Sequence, residues 1–109
     1  MVRMGIIDTS LVIDRAAEGK LIDENVCIIT VIEYPMLLEY GRFHGKVLSP
    51  ESSELQLALE LQKKLAKIGR MKSAADLIIA ATCINYNEIL LTNDSDFYDI
   101  AEVSDLKIK

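Results

Sequence analysis

Asp8, Glu33, Asp76, Asp94 and Asp96 stand apart from the other acids of this chain because each follows an apolar run or opens a helix-forming segment. Asp8 closes the run Met4 to Ile7. Glu33 follows the run Val26 to Ile29, Asp76 lies in the first turn of the apolar segment opened by Ser73, and Asp94 and Asp96 come after the run ending near Leu91. Other acids, among them Asp14, Asp23, Glu54, Glu60 and Asp99, fall on expected helix surfaces or loops. Taken singly, each of the five has a structural use. Asp8 can cap a helix, Thr30 with Glu33 and Ser73 with Asp76 have capping-box spacing, and aspartates between residues 92 and 96 suit a turn. Taken together they predict something else. Carboxylates about 5 Å apart repel by about 3 kcal/mol per pair at an effective dielectric near 20, so such a cluster must protonate, splay apart or bind a cation. Only oxygen donors are on offer, with the hydroxyls of Thr9, Ser10 and Thr92 beside them, and that set selects Mg2+ or Mn2+.

Competing chemistries lack their residues. The single histidine, His44, lies in an expected loop far from the acids, so a Ser-His or Cys-His nucleophile has no support. There is no glycine-rich phosphate loop. Cys27 and Cys83 sit in apolar runs without CxxC spacing and read as buried free thiols.

The elements that must position these acids are legible from periodicity and punctuation. Short unalternating apolar runs at Met4–Ile7, Val26–Ile29, Val47–Leu48, Glu88–Leu91 and Leu106–Ile108 read as buried strands. Between them, Thr9 and Ser10 cap a helix running to about Gly19, and Thr30-Val31-Ile32-Glu33 starts one running to Tyr40. Ser49-Pro50-Glu51 opens a helix whose apolar stripe, Leu55, Ala58, Leu59, Leu61, Leu65 and Ile68, ends at Gly69. A helix over Ala74 to Tyr86 is apolar nearly all round and so central, and a short one covers Phe97 to Ala101. Strands alternating with helices predict an α/β domain on a parallel sheet, taken as one domain over residues 1–109. In such sheets working residues lie past the carboxyl ends of strands, where these five acids fall.

Composition bounds the function. In 109 residues, 50% apolar with a mean hydropathy of +0.22, there is enough material for a core without disulfides. A net charge of −5 argues against a protein that coats nucleic acid with positive charge. No apolar stretch approaches the roughly 20 residues of a membrane span. A carboxylate at position 8 interrupts any leader-like core, which predicts a cytoplasmic protein.

Four segments carry a family resemblance: Ile6-Ile7-Asp8-Thr9-Ser10, Thr30-Val31-Ile32-Glu33, Ser73 through Thr82 (SAADLIIAAT), and Leu91 through Phe97 (LTNDSDF). In this order they resemble the signature segments of PIN domains, and among these the small VapC-like ribonuclease toxins of toxin-antitoxin pairs. The resemblance implies a three-layer α/β/α fold with four to five parallel strands in the order 3-2-1-4-5, and a Mg2+- or Mn2+-dependent endoribonuclease. It assigns the metal site to Asp8, Glu33, Asp76 and an acid at Asp94 or Asp96, with Thr9, Ser10 and Thr92 as supporting hydroxyls. RNA, a small antitoxin protein and a second copy of the chain are the partners it suggests. Helix N-termini under Glu33 and Asp76 are expected to keep the ligands ionised. The stretches between Asp8 and Val47 are short for the VapC-like group, which predicts a reduced helical arm. A minimal PIN domain in RNA processing, or a PIN-like module that binds without cutting, are the alternative readings. Lys63, Lys67, Arg70 and Lys72, with Lys64, form the one basic concentration, and read equally well as RNA contacts or as a solvated helix end.

Overall fold

The computed structural model describes residues 5–109, so the expected start of the first strand at Met4 lies outside them. Four strands, β1 (Ile6–Ile7), β2 (Val26–Cys27), β3 (Val47–Leu48) and β4 (Leu90–Leu91), pair in parallel as β1 with β4 and β2 with β3. An Ile6–Asn25 bridge joins the two pairs, and Ile108 bridges to Leu90 on the outer side of β4. The array therefore runs β3-β2-β1-β4 with Ile108 in the fifth position. The expected fifth strand is only this single bridge.

Alternation along the strands builds a core on each face of the sheet. Ile6, Cys27 and Leu90 face a cluster with Leu61, Leu65, Leu77, Ala80, Phe97 and Ile100, whereas Ile7 and Val26 face a second one with Val12, Ile22, Val31 and Leu37. Helices α3 (Ser52–Lys67), α4 (Ala74–Asn85) and α5 (Asp96–Glu102) supply the first cluster, and α1 (Thr9–Ala17) and α2 (Ile28–Glu33) contribute to the second. The result is the expected three-layer α/β/α arrangement. Gly5, at φ +80°, lets the chain enter β1 beside β4, where a Cβ would meet Leu91 Cδ1 at 2.8 Å and Ile89 O at 2.9 Å.

Several boundaries differ from expectation, each for a local reason. Asp8, not Thr9 or Ser10, caps α1, its Oδ1 accepting from Leu11 N–H at 3.1 Å. Helix α2 starts at Ile28 rather than Thr30 and stops at Glu33, because Pro35 has no N–H to continue it. A separate 3-10 helix over Pro35–Glu39 follows. Helix α3 begins at Ser52 rather than Pro50, since the Glu54 carboxylate accepts from Glu51 N–H at 3.0 Å. Its other oxygen is held by Ser53 and by Asn85 Nδ2 at 2.6 Å, and these bonds lower the Glu54 pKa. Of the α3 stripe, Ala58, Leu61 and Leu65 are buried while Leu55, Leu59 and Ile68 stay about half exposed, because α4 covers only one side of the helix. Helix α4 is the central one, with Leu77, Ile79, Ala80, Ala81, Thr82 and Cys83 buried. Cys27 and Cys83 are buried and unpaired. Among the described residues no helix is long and apolar enough to cross a membrane.

Candidate metal centre

The parallel sheet brings four of the chain's segments to one edge. Asp8 leaves the carboxyl end of β1, the loop from Thr92 to Asp96 leaves that of β4, and α2 follows β2 without a spacer. Asp76 occupies the third position of α4, where Ser73 Oγ accepts from its N–H at 3.2 Å. Carboxylate oxygens of Asp76, Asp94 and Asp96 lie within 4.8 Å of one another.

Hydroxyls knit this edge together. Thr92, 4% exposed, donates from Oγ1 to Asp8 Oδ2 and accepts from Asp94 N–H at 2.9 Å. Asp94 Oδ1 in turn accepts from Asp96 N–H at 2.9 Å, closing the turn. On the other side Thr9 Oγ1 donates to Glu33 Oε1 at 2.6 Å and lies 3.0 Å from Thr30 Oγ1. Since the Thr9 proton is committed to Glu33, Thr30 is the donor of that second bond. Ser10 is exposed and makes no bond to the acids among the described residues.

Glu33 differs from its expected setting. It is the last residue of α2, not in its first turn, so no helix N-terminus lies beneath it. Thr30 is correspondingly no cap but a buried helical residue whose hydroxyl orients Thr9. Sequence reading had no place for Thr30 in the site, although its three-residue spacing to Glu33 puts both on one helix face.

Electrostatics follow from crowding. Burial, and then the charge of Asp94, push Asp76 up to about 6, with Asp96 and Glu33 adding to the rise and the Ser73 hydroxyl opposing it. Asp8 is also raised, chiefly by its burial, against the bonds from Thr92 and Leu11; Asp94 and Asp14 add to the rise. The helix end thus does not hold the Asp76 pKa down: desolvation and like charge outweigh it, and the carboxylate loses its charge as pH falls through about 6. A raised carboxyl pKa favours the folded state while the group is protonated. That stability is complete below the unfolded value near 3.8 and is lost as pH rises through about 6. In metal-free protein, Asp76→Asn is therefore expected to melt at a higher temperature than wild type at pH 7 and to show a smaller gap at pH 4; equal gaps at both would contradict the shift.

The basic residues are mostly engaged. Lys63 pairs with Glu60 at 3.5 Å, Arg70 with Asp99 at 3.1 Å and Glu102 at 3.5 Å, and Lys72 with Asp99 at 2.7 Å and Asp96 at 3.4 Å. Lys64 and Lys67 are exposed on α3. Tyr34, Tyr40 and Phe43 pack against the second core, with Tyr40 Oη donating to Lys20 O at 2.6 Å.

An all-oxygen donor set whose members repel and raise the pKa of one carboxyl fits a hard divalent cation, which would relieve both effects. Asp76, Asp94 and Asp96 could hold it; Asp94 also acts on the buried Asp8, and Glu33 on Asp76, so all five acids share one electrostatic site.

The fold recurs in known proteins. A VapBC from Salmonella typhimurium solved with DNA is 14% identical, with a TM-score of 0.79 over 100% of this chain and 98% of that one. VapBC2 from Rickettsia felis, bound to a DNA fragment from its promoter, is 15% identical, with a TM-score of 0.74 over 95% and 96%. VapBC-5 from Mycobacterium tuberculosis, described as a member of the VapBC family of toxin-antitoxin systems, is 20% identical, with a TM-score of 0.73 over 95% of each chain. No curated protein matches the sequence. The family model for the PIN domain matches residues 6–103, nearly the whole chain and all five acids. The family model spans far more than half of the chain, and the chain belongs to the PIN domain family.

Proposed function

We propose that this PIN domain is a Mg2+- or Mn2+-dependent endoribonuclease and the toxin of a VapBC-like toxin-antitoxin pair. The observation that carries the reading is the approach of the Asp76, Asp94 and Asp96 carboxylates within 4.8 Å at the sheet edge. Asp8 and Glu33, braced by Thr92 and Thr9, complete the acidic rim. Bound there, the cation supplies a polarised phosphate oxygen and a coordinated water of lowered pKa. The chain's own part is positional. Thr92 ties Asp8 to the β4 loop, Thr9 fixes the direction of Glu33, and the α4 N-terminus holds Asp76 in the edge. Exposed Lys63 and Lys67 on α3 offer charge to the RNA backbone. The toxin reading, with an antitoxin partner, is supported by the VapBC complexes that share the fold.

The test is incubation of the purified protein with structured RNAs in Mg2+, in Mn2+ and in EDTA, alongside thermal melts. Cleavage confined to the metal-containing samples is expected, with a stabilisation of about 2.7 kcal/mol once the ion is a hundredfold above its Kd. Cleavage that survives EDTA, or none in any condition, would sink the reading. For the toxin half, growth arrest on expression is expected to be relieved by co-expressing a small protein encoded next to it.

A further inference from the structure

Lys72 is fixed at both ends. Its backbone is clamped by the Gln62 side chain, with Lys72 N–H donating to Oε1 at 3.1 Å and Gln62 Nε2 donating to Lys72 O at 2.7 Å. Its ammonium sits 2.7 Å from Asp99 Oδ2 and 3.4 Å from Asp96 Oδ1, and the side chain is only 12% exposed. A lysine on a flexible stem is rarely so restrained.

Asp94 and Asp96 differ in what holds them. Asp94 is part of the Thr92–Asp8 network, and its charge is the one that bears on both Asp8 and Asp76. Asp96 is more exposed, starts α5, and has its Oδ1 on the ammonium. Building on the reading of the acidic edge as a cation site, we propose that Lys72 is a positioning residue that competes with the divalent ion for Asp96. It ties that carboxylate to the α5 side, so that full ligation by Asp96 requires breaking an ion pair, and the site's affinity is set lower than its acid count implies. An Asp96 oxygen already lies within 4.8 Å of the Asp76 and Asp94 ligand atoms; without the ammonium the whole charge of that carboxylate is left to the ion.

The experiment measures Mn2+ affinity by titration calorimetry on the intact chain for wild type, Lys72→Met, Lys72→Arg, Asp96→Asn and the Lys72→Met/Asp96→Asn pair. Lys72→Met is expected to bind Mn2+ on the order of tenfold more tightly, the scale of the one Asp96–ammonium ion pair that ligation must otherwise give up, taken at a water-like dielectric. Lys72→Arg, which keeps the charge, should return close to the wild-type affinity. In the Asp96→Asn background the gain from Lys72→Met should largely vanish. An unchanged or weaker Kd in Lys72→Met overturns the proposal, and so does a full gain in the Asp96→Asn background, which would mean that the lysine acts by bulk charge. Asp76→Asn separates the two levels. If it binds Mn2+ as wild type does, the cation site itself is refuted rather than the role of Lys72.

Discussion

Asp76→Asn is expected to reduce metal-dependent RNA cleavage on the order of 100-fold or more while leaving the protein folded. The substitution keeps the size of the side chain and the Ser73 cap, which is made to the backbone N–H of residue 76. What it removes is one of three carboxylates gathered within 4.8 Å. Because that carboxyl is pushed up to about 6 by burial and by Asp94, its charge costs stability at neutral pH. In metal-free protein the variant should therefore melt no lower than wild type, and lost cleavage cannot be put down to unfolding. Asp8→Asn makes a less clean pair with it. Asparagine can still cap α1 through its oxygen, but its NH2 group would face the Thr92 hydroxyl, which now donates to Oδ2. Single-turnover cleavage with melting curves on both variants is the measurement, and wild-type rates in Asp76→Asn would remove this carboxylate from the site.

Phe97→Ala is expected to cost about 3–5 kcal/mol of stability and to lower Tm by roughly 15 °C or more. Phe97 is the largest side chain in the core and is 1% exposed, packed in the cluster that α3, α4 and α5 form under β1 and β4. Its position next to Asp96, and the bond from Phe97 N–H to Asp94 O at 3.3 Å, make the ring the anchor of the acidic loop. A cavity there frees the first turn of α5. The expected accompaniment is weaker Mn2+ binding by the still folded fraction, whereas Phe97→Leu, which refills most of the space, should cost about 1 kcal/mol and spare the affinity. Thermal denaturation with and without Mn2+ reads both effects, and a loss under 1 kcal/mol for Phe97→Ala would contradict this account of the core.

Much of the architecture was legible because local rules and global packing agree. The apolar runs are too short and too uniformly buried for anything but parallel strands covered on both faces, and the carboxyl-end rule then put Asp8 and the Asp94–Asp96 turn on one edge. Ser73 and Gly69 punctuated their helices as read, since caps depend on a residue and its near neighbours alone. Helix starts set by side chains reaching back were not legible. Ser49-Pro50 looked like a start, but Glu54, tied to Asn85 across 31 residues of chain, places it at Ser52. Pro35 was expected to sit harmlessly in the first turn of a helix running to Tyr40; that it instead ends α2 and leaves Glu33 as its last residue required knowing where β2 hands over to the helix.

By itself, the sequence determined the parallel α/β class, the two-sided core and the set of acids that share an edge, because periodicity and strand-end position are local properties of the chain; the strand order came from the resemblance to PIN domains. Tertiary structure alone decided the rest. Thr30 became a brace for Thr9 and Glu33, the Lys72 ammonium was turned from a candidate RNA contact into the counter-charge of Asp96 and Asp99, and burial with the charge of Asp94 raised the pKa of the acid at residue 76. Each of these depends on distances between groups far apart in sequence, and charge and hydrogen-bond energies change steeply over the few ångströms that only packing sets.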